Sequence, residues 1–157
     1  MSASDIASAG FEVKRRLFEI AQTLFADESK LAVSFGFPGG NGDREDSMEF
    51  MDIRTQQEPA TQSTNRSRDE EIFVTVNISA YRAGEAGDDL IPTQAAFGYL
   101  RTLEQHIRKN DPTLGGFANW CFLDNLDSLS ATEPDLVSQG RLVFITAQFK
   151  ARVRITG

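Results

Sequence analysis

Two sets of charged residues are spaced so that they could do chemistry. Asp43, Glu45, Asp46, Glu49 and Asp52 crowd carboxylates into a short stretch, and Lys150, Arg152 and Arg154 take every second position near the other end. Clustered carboxylates offer the hard oxygen ligands that Mg²⁺ or Ca²⁺ prefer, but the spacing does not match an EF-hand loop. A solvated acidic face is the reading that fits, and no metal ligand is assigned. Cations at alternate positions lie on one face of a strand, where they can meet phosphate or an acidic surface. With 16 Lys and Arg against 23 Asp and Glu, the net charge of −7 disfavours a general nucleic-acid binder, which displaces counterions with excess cations. A protein partner is expected instead, because opposed patches steer association. Asp43, Glu45 and Asp46 on one side, and Lys150, Arg152 and Arg154 on the other, are therefore the candidate subunit or partner interface. Lys14, Arg15 and Arg16 add a second basic surface.

Other reactive residues assemble nothing. His106 is the single histidine, so no Ser-His-Asp, Cys-His or multi-histidine metal set can form within one chain. It falls at the border of an apolar helix face and reads as structural. Cys121 follows Trp120 in an expected strand and reads as a buried thiol, with no adjacent cation to activate it. The glycines at positions 36, 39, 40 and 42 lack the Gly-Lys-Ser/Thr ending of a P-loop and the dinucleotide spacing, so they read as turn formers. No catalytic or cofactor-binding residue is assigned, and no enzyme is expected.

The elements that must position these charges follow from periodicity. One domain over residues 1–157 is expected, large enough to bury a core without staples. With 12 Phe against one Trp and two Tyr, that core should be rich in Phe. The lone cysteine fits a reducing compartment. No secretory signal is expected after Met1, and no run of about 20 apolar residues suggests a membrane span.

Residues 1–10 are small and polar and are expected to fray. Val13, Leu17, Ile20, Ala21 and Leu24 predict an amphipathic helix over 11–26. Alternation at Leu31, Val33, Phe35 and Phe37 predicts a strand, followed by the breaker Pro38-Gly39-Gly40-Asn41-Gly42. A weaker strand is expected over 48–53. Residues 54–69 hold almost no apolar side chain, and an exposed mobile loop is expected. The clearest strand covers 71–81, with Ile72, Val74, Val76, Ile78 and Ala80 on one face. A second helix over 92–110 carries Ala96, Leu100, Leu103 and Ile107 on one stripe. Arg108 and Lys109 suit the negative end of its dipole, and Asp111-Pro112-Thr113-Leu114-Gly115-Gly116 stops it. A strand over 119–123, a polar connection over 124–139 and a long alternating strand over 142–155 complete the chain. The order α-β-β-β-α-β-β predicts an α+β fold: a mainly antiparallel sheet with two helices packed on one face.

The helix ending in Asp111-Pro112-Thr113-Leu114-Gly115-Gly116, followed by a strand, a polar spacer and a terminal alternating strand, resembles the tail-terminator proteins of long-tailed bacteriophages. The turn Phe35-Gly36-Phe37-Pro38-Gly39 and the 71–81 strand leading to the long helix are similar to segments at corresponding places in that family. The resemblance spans roughly residues 11–155. It implies a homohexameric ring at the head-proximal end of a virion tail, assembled in the host cytoplasm. Such a ring caps the tail tube, stops its polymerisation and joins it to the head connector. The implied partners are further copies of itself, the tail tube protein and the head–tail connector protein, with no membrane, no sequence-specific nucleic acid and no cofactor. Two other readings stand beside it: a head-completion or neck adaptor, and a small metal-dependent enzyme using the 43–52 carboxylates. A weaker third is a nucleic-acid module using the basic last strand.

Overall fold

The computed structural model describes residues 6–37, 45–61, 64–83, 88–132 and 140–156, and the side chains of all of these except 59–61 and 64–66. The elements run α1 (Gly10–Leu24), β1 (Leu31–Phe35), β2 (Asp46–Thr61), β3 (Thr64–Ala83), α2 (Leu90–Asn110), β4 (Trp120–Ser130) and β5 (Gly140–Ile155). The strands form one five-stranded sheet in the order β1-β2-β3-β5-β4. Only β1 and β2 pair in parallel; the other three pairings are antiparallel. The expected α+β fold and element order are what the chain adopts.

Both helices lie on the same side of the sheet. Val13, Leu17 and Ala21 of α1, and Ala96, Leu100, Leu103 and Ile107 of α2, are buried against one cluster with Ile72, Val74, Val76, Ile78 and Ala80 of β3. Opposite them, Val143, Ile145, Ala147, Phe149, Ala151, Val153 and Ile155 of β5 are buried at every second position. The long strands thus present a strictly alternating apolar face, as a sheet covered on one side requires. Each fully buried Leu, Ile, Phe or Met contributes roughly 1.5–3 kcal/mol of transfer free energy. Among the described residues no helix covers the other face.

Three expectations are corrected. The loop expected over 54–69 is the arm of a hairpin: β2 runs to Thr61, β3 starts at Thr64, and they pair down to Thr61↔Thr64. Nothing apolar marks this stretch because residues 52–58 are exposed. Backbone pairing to β3, itself held by β5 as far as Arg68↔Ile155, imposes the extended form. The polar connection expected from 124 instead continues β4 through Ser130, after a register irregularity between Leu123 and Asn125; its part from 133 to 139 lies outside the described residues. Of the segment expected to fray, residues 1–5 also lie outside them, but Ala9 is buried. The Ser8 hydroxyl and the Ala9 N–H both donate to the Glu70 carboxylate. Glu70 thereby serves as the N-terminal cap of α1, where Ala9 has no side chain to supply one.

Candidate functional site

The basic residues of β5 stand on the open face, at the end of the sheet that the β2–β3 arm extends. Two of them have acidic register partners on β3, Arg152 opposite Glu71 and Arg154 opposite Asp69, while Lys150 lies opposite Phe73. Arg152 Nη2 donates to Asp69 at 2.7 Å and Arg154 Nε at 2.9 Å, while Lys150 Nζ lies 2.8 Å from Glu71. Asp69 is only 5% exposed. The Arg154 and Arg152 guanidiniums hold its carboxyl well below the usual range, outweighing the cost of burial. Aromatic rings complete this end. Trp120 and Phe122 stack at 5.0 Å, and the cations of Arg54 and Lys150 lie 4.1 and 5.3 Å from the Phe73 ring centre. The three candidate cations are thus brought together, each answered by an acid of the same chain.

The acidic candidates have a different fate. Asp43 lies outside the described residues. Glu45 is exposed, 3.6 Å from Arg82. Asp46 is wholly buried at the start of β2, where Arg82 grips it with Nη1 at 2.7 Å and Nη2 at 3.1 Å. Its carboxylate also accepts from the Tyr81 N–H at 3.1 Å and from the Tyr99 hydroxyl. Burial, then the adjacent Asp46, pushes the Tyr99 hydroxyl above its ordinary pKa, while Asp46 raises that of Arg82. Asp46 therefore bolts β2, β3 and α2 together and presents no charge outward. Nothing in the sequence separates it from its acidic neighbours; only the arrival of Arg82 and Tyr99 does. Ser47 lies opposite Ser79, which lies opposite Phe144. Arg152 stands eight residues further along β5 (152 − 144). The two charge sets consequently mark opposite ends of the strands rather than opposite sides of the sheet.

Remaining reactive residues carry no constellation. Cys121 is buried, and burial followed by Asp111 pushes its thiol up to about 12. His106 borders a cavity of about 310 Å³ with Arg16, Glu19 and Asp111. Arg16 there is already engaged: Nη1 donates to the Leu114 carbonyl at 2.7 Å. The turn that stops α2 is held by the Gly115 N–H donating to Asp111 at 2.6 Å, with φ of 51°, 74° and 87° at Leu114, Gly115 and Gly116. Glycine suits two of these left-handed positions; Leu114 is kept in the third by burial. Among the described residues no three His, Cys, Asp or Glu side chains converge as a metal site would need.

The sheet edges are the other notable surfaces. Beside β1, the large side chains Phe11, Phe35, Phe37 and Ile53 are exposed; beside β4, Phe97, Phe122 and Leu129 are. At β4 these side chains divide between the two faces, Phe97 on the helix side with Leu123 and Leu126, Phe122 and Leu129 on the open side with Lys150 and Phe144.

The sequence matches no protein-family model and no curated protein. The fold does have relatives among solved structures. One is a chain of the structure titled "Virion of native gene transfer agent (GTA) particle", with a TM-score of 0.53 over 94% of this chain and 99% of that one, at 9% sequence identity. At that identity the likeness shows a shared fold, spanning both chains almost end to end.

Proposed function

We propose that this chain is a structural protein of a phage-like virion and, within it, a tail terminator. In this reading it forms a homohexameric ring at the head-proximal end of the tail, having assembled in the host cytoplasm. The ring caps the tail tube, stops its polymerisation and meets the head connector, with no catalysis. One observation carries the proposal: the end-to-end fold match with a chain of a virion particle. The element order and the 111–116 turn, which resemble tail terminators, support the finer role.

A ring stops a growing tube when it binds the last layer without offering the same surface onward. Its subunits then need lateral faces to close on each other and axial faces to meet different neighbours, a heterologous arrangement that closes. Lys150, Arg152 and Arg154 lie at one end of the strands, so they are proposed as an axial partner face. Glu45, at the other end of the strands with the buried Asp46 beneath it, belongs to the opposite axial face.

The test is to add the purified protein to polymerising tail tubes and measure tube lengths by negative-stain microscopy. Rings of six at tube ends and arrested elongation are expected. Rings that bind only portal complexes and leave tube length unchanged would replace the terminator with a neck adaptor. Monomers that bind neither tubes nor portals would overturn both readings.

A further inference from the structure

On the open face, near the arm, one row of register partners crosses four strands: Arg54 of β2, Phe73 of β3, Lys150 of β5 and Phe122 of β4. Cation and ring alternate along it. Arg54 and Lys150 both lie over the Phe73 ring, which is only 8% exposed. Phe122 stacks on Trp120 and is still 46% exposed. Neighbouring strands stand about 4.8 Å apart, so the ends of the row, Arg54 and Phe122, are separated by roughly 14 Å.

Most of the charge beside this row is answered within the chain. Lys150 pairs with Glu71, and Arg152 and Arg154 share Asp69. Two guanidiniums on one carboxylate leave a positive surplus, which Glu58 offsets. It lies opposite Asp69 in register, and after Asp69 itself it raises the pKa of Arg152. Arg54 differs. It is exposed, it rests on the uncharged Phe73 ring, and among the described residues no carboxylate forms an ion pair with it. A carboxylate cancels the charge of a cation, whereas a ring only attracts it.

We propose that the partner at this axial face is a protein surface that sets one carboxylate on Arg54 and an apolar side chain on the Trp120–Phe122 stack. Lys150, Arg152 and Arg154 shape the face and contribute little to the contact. Aromatic and arginine side chains are the groups that most often dominate the energy of a protein interface, while exposed ion pairs contribute little. One surplus cation suits one carboxylate. It does not suit nucleic acid, whose successive phosphates need several cations and would here meet Glu58, Asp69 and Glu71. A second copy meeting this face with its own would bring the same surplus cation and no surplus carboxylate. The inference rests on the virion reading above and names the chemistry of the neighbour at this face.

The test is binding of purified rings to tail tubes and to portal complexes, measured by co-sedimentation. Native mass spectrometry checks the ring and circular dichroism the fold. Arg54→Gln removes the surplus charge and Phe122→Thr the exposed ring; both positions are exposed. Each should weaken binding by about tenfold or more with rings intact. The combined Asp69→Asn, Arg152→Gln and Arg154→Gln variant should change binding by less than about threefold. A combined variant that loses as much as the other two, or Arg54→Gln and Phe122→Thr rings that bind like the wild type, would overturn this contact and leave the virion role standing. Loss of the ring itself in either single variant makes a second copy the occupant and overturns the choice of partner. A salt-dependent shift of single-stranded DNA by the wild type, absent in Arg54→Gln, overturns it in favour of nucleic acid. Wild-type rings that bind neither tubes nor portals overturn the contact together with the terminator and adaptor readings.

Discussion

Replacing Asp69 with Asn removes one nearly buried negative charge and leaves the shape of the side chain unchanged. In the wild type that carboxylate accepts from Arg152 Nη2 at 2.7 Å, Arg154 Nε at 2.9 Å and Arg154 Nη2 at 3.3 Å. A sheltered hydrogen bond to a charged group contributes ~1.5–3 kcal/mol. Here the arginine side chains are 33% and 50% exposed, so solvent screening brings the pairing nearer to surface values. The third contact is long and adds little. Asp69→Asn should therefore cost about 2 kcal/mol near pH 7, roughly 4–8 °C in Tm for a chain of this size. The dependence on pH follows from the direction of the shift. Asp69 is held below its ordinary value by Arg154 and Arg152, so the unfolded chain takes up its proton first as pH falls. The stability it contributes is complete above the unfolded pKa, about 3.9, and is lost as pH drops through the lower folded value. Glu12 is also lowered, mainly by Arg15, but it is common to both proteins and cancels in their difference. Urea titrations followed by Trp120 fluorescence, at one fixed protein concentration, read the effect. The gap between wild type and variant should be full at pH 7 and should narrow markedly by pH 3. An equal gap at both pH values, or none at pH 7, would refute the account. The same network bears on tests of the axial face. Reversing Arg152 and Arg154 alone strands Asp69, so Asp69→Asn, Arg152→Gln and Arg154→Gln should be combined when binding to tubes is measured.

Asp46→Ala should destabilise the fold by about 3–5 kcal/mol in urea titration, because Arg82 loses its buried partner. Tyr99→Phe removes one donor from the same carboxylate and should cost only about 1 kcal/mol; equal losses would contradict this division. Glu70→Ala leaves the Ala9 N–H without its acceptor. It should lower stability by ~1–2 kcal/mol, with hydrogen exchange faster at the first turn of α1 and unchanged in β5. Cys121 should resist alkylation at pH 8 in the native protein and react once urea unfolds it, since its thiol is buried and raised to about 12. Rapid labelling of the folded chain would count against that burial.

The alternating apolar residues of β3 and β5, and the four-three-four spacing of Ala96, Leu100, Leu103 and Ile107, determine two long strands and a helix without reference to anything distant. Periodicity alone assigns their buried faces, because a half-covered sheet and an amphipathic helix each have one apolar side. The stop at 111–116 is equally local, set by Asp-Pro and two glycines. Alternate spacing also shows that Lys150, Arg152 and Arg154 share a strand face. It does not show their partners: Asp69 lies 83 residues from Arg152 and 85 from Arg154 in the chain, and only the register of β3 on β5 joins them. Residues 54–58 of the arm, and the second half of β4 apart from Leu126, have no apolar rhythm because their side chains are exposed. There the extended form comes from backbone pairing to neighbouring strands, which composition does not record. Asp46 shows the same limit for charge. As one acid in an acidic run it is indistinguishable from Glu45, and it becomes a buried bolt only because the fold brings Arg82 and Tyr99 to it. The sequence by itself determines which faces are apolar and where helices stop, since neighbours along the chain decide both. Tertiary structure decides which charges are spent inside the fold and which surfaces remain open, since those depend on partners remote in sequence.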